Sequence, residues 1–349
     1  MSVARLRSRR LDIRNGLVDL SHGSGGRATT QLVDQIFRSA FDNPLLNQGN
    51  DQAAFDVASG RMVMSTDGYV ISPLFFPGGD IGSLAVHGTV NDLAMAGARP
   101  LYLAASYIIE EGFPLFDLQR IANSMGRAAR DAGVAIVTGD TKVVERGKGD
   151  GVFISTTGIG VVPQGIILSG DRACPGDKVI LSGCIGDHGV AVMSQRSNLG
   201  FETGIQSDSA ALHGLVAEIV RIAGASLRLM RDPTRGGLAT TLNEIAHQSG
   251  VGMVIEERRI PVRPEVAAAC ELLGLDPLNV ANEGKLIAIV AADAADVLVA
   301  AMRNHELGRE SAVIGTVIAD EQRFVQMTTS FGGGRIVDWL TGEQLPRIC

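Results

Sequence analysis

A chain of 349 residues is long for one hydrophobic core, so two domains are expected. With 45% hydrophobic and 20% charged residues it has a globular composition, and a formal charge of -7 argues against nucleic acid or an anionic membrane surface as partner. The four cysteines lack metal-ligand spacing, and the sequence carries no secretory signal or membrane-length apolar run, which points to the reducing cytoplasm.

In chain order, residues 1–20 read as a mobile arm. The run Leu20-Ser-His-Gly-Ser-Gly-Gly-Arg27 leads into a helix marked by Leu32, Val33, Ile36 and Phe37. A strand over 62–67 ends on Asp67. A helix follows over 82–97, with Ser83 as its N-cap, then a strand over 101–109. Asp117 is the expected cap of a helix over 117–133. Strands over 135–140, ending on Asp140, and 152–162 complete the first half. Pro163 to Pro175 is punctuation, with a boundary near 166.

The second half opens with a strand over 178–183, and Gly186-Asp-His-Gly189 leads into a helix. After a polar loop over 197–208 come helices at 210–223 and 236–249, and a strand at 252–256. A helix at 264–273, a strand at 285–290, a helix at 292–307 and a strand at 311–318 follow. Gly332-Gly-Gly334 then sets off a tail. The fold class is α/β (α+β): two domains with mixed sheets and flanking helices over 21–165 and 166–330, between an arm at 1–20 and a mobile tail at 331–349.

Five acids each follow a short polar or glycine-bearing approach: Asp51, Asp67, Asp92, Asp140 and Asp232. Singly, such an acid is usually a turn or cap residue. Together they place carboxylates where binding loops lie, and carboxylates in one place repel unless a cation neutralises them. Mg²⁺ with a nucleoside triphosphate meets that need. The backbone of His22, Gly23, Gly25 and Gly26 offers N–H groups to phosphates. No Gly-Lys-Ser/Thr follows, so it is not a Walker loop. Cys174, Cys184 and Cys270 read as small core hydrophobes. Cys349 is the last residue. From Gly342 an extended chain could carry its thiol about 25 Å, and at an ordinary pKa of about 8.5 a few per cent would be thiolate.

Asp67-Gly-Tyr-Val-Ile-Ser-Pro73, the run from Leu84 to Ala98, Thr138-Gly-Asp-Thr-Lys-Val-Val144, Asp232-Pro-Thr-Arg-Gly-Gly-Leu238 and the terminal Pro346-Arg-Ile-Cys349 resemble the HypE family of hydrogenase-maturation carbamoyl dehydratases. That family lies in the aminoimidazole-ribonucleotide-synthetase-like superfamily, and the resemblance covers nearly the whole chain. It implies a dimer that uses ATP and Mg²⁺. A carbamoyltransferase partner would charge the Cys349 thiol. ATP would then drive dehydration to a thiocyanate, and the cyano group would pass to iron on a maturation scaffold complex, as a ligand of the nickel–iron hydrogenase site. Cys349, Lys142 and Glu283 are the implied catalytic residues. The expected nucleotide residues are His22, Gly23, Gly25, Gly26, Asp67, Asn91, Asp92, Asp140, Thr141 and Asp232. The expected metal ligands are Asp51, Asp67, Asp92, Asp140 and Asp232. Alternatives are another ATP-dependent synthetase or kinase of the superfamily, and a thiol carrier without catalysis.

Overall fold

The computed structural model describes residues 10–24, 26–48, 52–56, 60–196, 204–339 and 347–349. Gly25 and Asp51, both expected in the site, lie outside the described residues.

Helix α1 (Arg27–Leu32) passes through a wider π turn (Val33–Arg38) into α2 (Ser39–Phe41). Strand β1 (Arg61–Tyr69) is followed by a small hairpin, β2 (Phe75–Phe76) and β3 (Gly79–Asp80). Then come α3 (Ile81–Met95), β4 (Arg99–Glu110), α4 (Leu115–Asp131), β5 (Ala135–Val144) and β6 (Val152–Val162). The sheet order is β1-β6-β4-β5, with β4 and β5 parallel and the other pairs antiparallel. Helix α3 is buried almost all round, against β1 and β6 on one side and α4 on another. Its cap is Asp80, whose carboxylate accepts from the N–H groups of Gly82 and Ser83. Ser83 is the third helical residue and returns its hydroxyl to the cap, a reciprocal box in place of the expected Ser83 cap. Asp117 likewise lies inside α4, which starts two residues earlier after Pro114.

The second half runs β7 (Lys178–Leu181), α5 (Asp187–Ser194), α6 (His213–Ala223), β8 (Leu227–Arg231), α7 (Gly237–Ser249), β9 (Gly252–Glu256) and α8 (Pro264–Leu273). It continues through β10 (Ile287–Val290), α9 (Ala295–Met302), β11 (Ala312–Ile318), β12 (Val325–Thr328) and β13 (Gly334–Ile336). The sheet order is β13-β12-β9-β11-β7-β10-β8, mixed because β12 runs parallel to β9.

Both ends of the chain depart from expectation. Residues 10–20 are not a free arm: Val18 is buried, exchanges hydrogen bonds with Gly112 and Phe113, and Leu17 bridges Pro114. Of the tail, β13 joins the large sheet, and Val337 is buried with its carbonyl held by Asn243. Cys174 is exposed rather than core, while Cys184 and Cys270 are buried.

The apolar core crosses the join between the halves. One cluster unites Leu84, Ile109 and Leu118 of the first half with Val190, Val266 and Val280 of the second, and it includes Ile348. No helix among the described residues is long and apolar enough to cross a membrane.

Candidate active site

Residues 347–349 lie along residues 70–72 like an added strand. Val70 N–H donates to the Cys349 carbonyl (3.3 Å) and Ser72 N–H to that of Arg347 (3.1 Å). Arg196 ties the two segments together, donating to Ser72 O (3.0 Å) and Arg347 O (2.9 Å). The Arg347 side chain pairs with Asp150. Ile348 is 3% exposed, and apolar burial of that side chain contributes about 1.5–3 kcal/mol to the docked state. The terminus is therefore docked, and the expectation of a frayed thiol near its ordinary pKa does not hold. Burial first, and then the Glu283 carboxyl beside it, push the Cys349 thiol well up, against the opposing charge of Arg235.

Glu283 is held from behind. Asn282 is fully buried, takes the Gly186 N–H on its amide oxygen (2.7 Å) and donates to Pro233 O (2.9 Å) and Val280 O (3.0 Å). Glu283 N–H donates to the Asp208 carboxylate (3.0 Å), which also pairs with Lys285 (3.2 Å). At Gly284 a Cβ would overlap the Asp208 carbonyl, so only glycine fits there. Glu283 Oε1 is buried with no hydrogen-bond partner among the described residues. Burial, and then Asp232, Asp208, Asp67 and Asp92, raise the Glu283 carboxyl well above the usual range.

Asp67, Asp92 and Asp232 belong to this group. Burial and Asp92 push Asp232 up to about 7. Burial also raises Asp92, whose carboxylate accepts from Ser65 Oγ (2.6 Å). Asp232 is set by the turn that ends at Gly236 and Gly237, both left-handed (φ 76° and 61°). A Cβ on Gly237 would stand 2.5 Å from the Leu278 carbonyl. These acids are the hard oxygen donors that Mg²⁺ takes alongside phosphate. Among the described residues no three His, Cys, Asp or Glu form a ready cluster for a metal. The set fits an ion that arrives with a nucleotide better than a prebuilt cage.

The other expected residues fall elsewhere. Lys142 is not beside the thiol: its ammonium lies on Asp140 (2.8 Å), both side chains are largely exposed, and that contact first of all lowers the Asp140 carboxyl. Asp140 and Thr141 line a separate cavity of about 170 Å³ with Phe37, Phe41, Tyr107 and Ile136. Asn91 serves as a strut. It is buried, donates to Ala210 O (3.0 Å) and Glu283 O (3.2 Å), and accepts from Leu212 N–H (2.7 Å), which commits both amide hydrogens and one of the two lone pairs of its oxygen. His22 is buried and accepts from Asp19 N–H (3.0 Å). A Cβ on Gly23 would strike Val143, so this part of the loop packs closely on β5. Gly26 caps α1. A larger cavity of about 720 Å³, lined by Asp187, Asp208, Arg263, Lys285 and Glu310 among others, does not include Cys349 or Glu283. Volume alone therefore points away from the thiol. Arg196, Ser207, Asp208 and His188 were not foreseen. Arg235 lay within the quoted Asp232–Leu238 run and His188 within Gly186–Gly189, but neither run shows a role that depends on where the chain end arrives.

The chain is an AIR-synthase-related protein, built on a mixed four-stranded sheet and a mixed seven-stranded sheet, with the Cys349 thiol docked beside a buried carboxyl. Accordingly, the AIR synthase related protein family matches by its N-terminal domain at residues 49–162 and its C-terminal domain at 174–328. The chain belongs to the HypE carbamoyl dehydratase family. It is 71% identical over 341 residues to carbamoyl dehydratase HypE of Rhizobium leguminosarum bv. viciae, covering 98% of this chain and 97% of the relative. The structure of hydrogenase maturation protein HypE in complex with ATP superposes with a TM-score of 0.91 at 50% identity, covering 95% and 99% of the two chains. A HypE–HypF complex superposes at 0.78 with 48% identity, covering 88% and 99%.

Proposed function

We propose that the chain dehydrates a carbamoyl group carried on Cys349 to a thiocyanate at the expense of ATP, supplying cyanide ligands for a nickel–iron hydrogenase. The observation that carries this reading is the docking of the terminal thiol against Glu283. ATP binding is supported by the ATP complex of a 50%-identical relative. Asp67, Asp92 and Asp232 would hold Mg²⁺, which would neutralise phosphate and carboxylate charge together. Asp140, Thr141 and the apolar cavity beside them suit a purine and its sugar.

The carboxamide oxygen is a poor leaving group until it takes the γ-phosphoryl of ATP. The C–O bond then breaks, phosphate leaves with that oxygen, and the carbon–nitrogen triple bond forms as nitrogen loses two protons. One proton ends on the phosphate and the other on Glu283. Burial and the neighbouring acids raise the Glu283 carboxyl well above the usual range. Asp67, Asp92 and Asp232 would hold a cation that would offset that repulsion, and Glu283 would then be the base.

The carbamoyl donor is a transferase partner, a reading supported by the HypE–HypF complex of a relative. The acceptor is an iron-carrying scaffold complex, and the compartment is the cytoplasm. We further propose the division into 21–165, carrying the nucleotide and a dimer face, and 166–330. The outer face of the small sheet favours a homodimer: Met62 and Met64 of β1 and Ile108 of β4 are 46%, 73% and 45% exposed there.

Intact mass after incubation with transferase, carbamoyl donor and ATP tests the reaction. The wild type should gain a carbamoyl group and then lose one water. Cys349→Ala should gain nothing, and Glu283→Gln should stall as the carbamoyl adduct. Cyanide formation by Cys349→Ala would overturn the reading.

A further inference from the structure

Main-chain pairing with residues 70–72 would hold almost any terminal tripeptide, and Arg196 grips a carbonyl at its edge. The carbonyl of Ile348, between Arg347 and Cys349, turns the other way, into the protein. There it meets His188, a fully buried imidazole whose Nε2 lies 2.8 Å away. A carbonyl oxygen only accepts, so Nε2 carries the hydrogen. Burial lowers the pKa of this imidazole, and in the neutral ring with its hydrogen on Nε2 the Nδ1 atom is an acceptor. Ser207 Oγ stands 2.8 Å from Nδ1 and donates to it. Ser207 Oγ in turn accepts from Ser209 N–H (3.1 Å), and Ser207 N–H is fixed to Pro77 O (2.8 Å). The Phe76 ring closes the side of the imidazole, edge to face at 5.5 Å. Every hydrogen of this relay has one place to go, and its output is one N–H aimed at the chain end.

We propose that His188 is a latch for the tail: a positioning residue that sets how long the Cys349 thiol stays against Glu283 before it leaves to be charged. When the tail departs, the N–H of His188 loses its partner, so departure is opposed at a residue that never touches the reacting group. A carrier must visit two places, and the strength of this one contact divides its time between them. Weakening it should slow the step inside the pocket and should not slow the step outside. The inference deepens the carrier reading above and rests on it, but its first test needs no ATP, no partner and no carbamoyl group.

That test is alkylation of Cys349 by iodoacetamide in the full chain carrying Cys174→Ser, which removes the exposed thiol. The rate is read by mass spectrometry of the C-terminal peptide. His188→Leu should label about tenfold faster than the parent, the ratio that one buried hydrogen bond of ordinary net strength sets. His188→Gln, whose side-chain N–H can reach the same carbonyl, should return most of the protection. Ser207→Ala should label faster than the parent, because Nδ1 loses its donor and the tautomer is no longer fixed. Equal labelling of parent and His188→Leu, or of the Leu and Gln variants, overturns the latch. If His188→Leu does not fold, Ser207→Ala decides, and an unchanged rate there overturns it. With the transferase and ATP added, His188→Leu should be carbamoylated at least as fast as the parent yet dehydrate more slowly. Slowing of both steps would mark a merely structural histidine. Failure of the parent to dehydrate, with the labelling differences intact, would instead remove the dehydratase reading and leave the latch.

Discussion

At the scale of single residues the site is a store of unfavourable charge. An acid whose folded pKa stands above its unfolded value binds more protons when folded, so stability falls as pH rises from the unfolded pKa through the folded one. Asp232, pushed up to about 7, should therefore destabilise the fold progressively between about pH 4 and pH 7 in magnesium-free buffer. Asp232→Asn should flatten that decline. It should do so by more than its own share, because Asp232 is the charged neighbour that raises Glu283 most. Differential scanning fluorimetry across this range checks it, and parallel curves for the two proteins would show that Asp232 ionises normally. Adding magnesium and ATP should flatten the wild-type decline in the same way if the acids share one cation.

At the scale of elements, the loop from Val280 to Lys285 joins α8 and its following turn to β10 and presents Glu283. Asn282 is its anchor, bonded to Gly186 and Pro233 in two other segments and to Val280 within the loop. Asn282→Ala takes the partner from the buried Gly186 N–H and from the Val280 carbonyl, while the Pro233 carbonyl keeps the Asn282 main-chain N–H (3.2 Å). The expected loss is about 2–4 kcal/mol in urea denaturation, with dehydration falling further than stability alone explains. That loop also shows how far the sequence could be read. Strands β6 and β9 and helix α8 were legible to the residue, because alternation, β-branched runs or a proline start mark them locally. Strand β5 was expected to stop at Asp140, since Gly139 and Asp140 look like a turn, but pairing with β4 carries it on to Val144. Strands β8, β12 and β13 were missed. Each is five residues or fewer, and β12 is specified by a parallel neighbour about seventy residues away. Glu283, Asp67, Asp92 and Asp232 were legible as candidate acids, but Asp67 lies within β1 and Asp92 within α3 rather than in turns. That they converge on the thiol, while Lys142 turns to Asp140, follows from tertiary placement that no local pattern encodes.

At the scale of the whole molecule, the outer face of the small sheet carries Met62 and Met64 in the open at one end and Ile108 at the other. Met64→Asp should leave the fold intact, since that side chain contributes little to the core, and should convert a dimer to a monomer in light scattering at micromolar concentration. A monomeric wild type would remove the dimer from the account. The core has a different consequence. Val190, Val266 and Val280 share one apolar cluster with Leu84, Ile109 and Leu118, so neither half can open without uncovering the other. Heating should give one endotherm rather than two, with calorimetric and van't Hoff enthalpies in agreement. Cutting the gene at the join would release two sticky fragments instead of two working modules. Exchange of halves with a distant relative would fail for the same reason: the partners would have to be fitted to one another, as the two sides of a single interior.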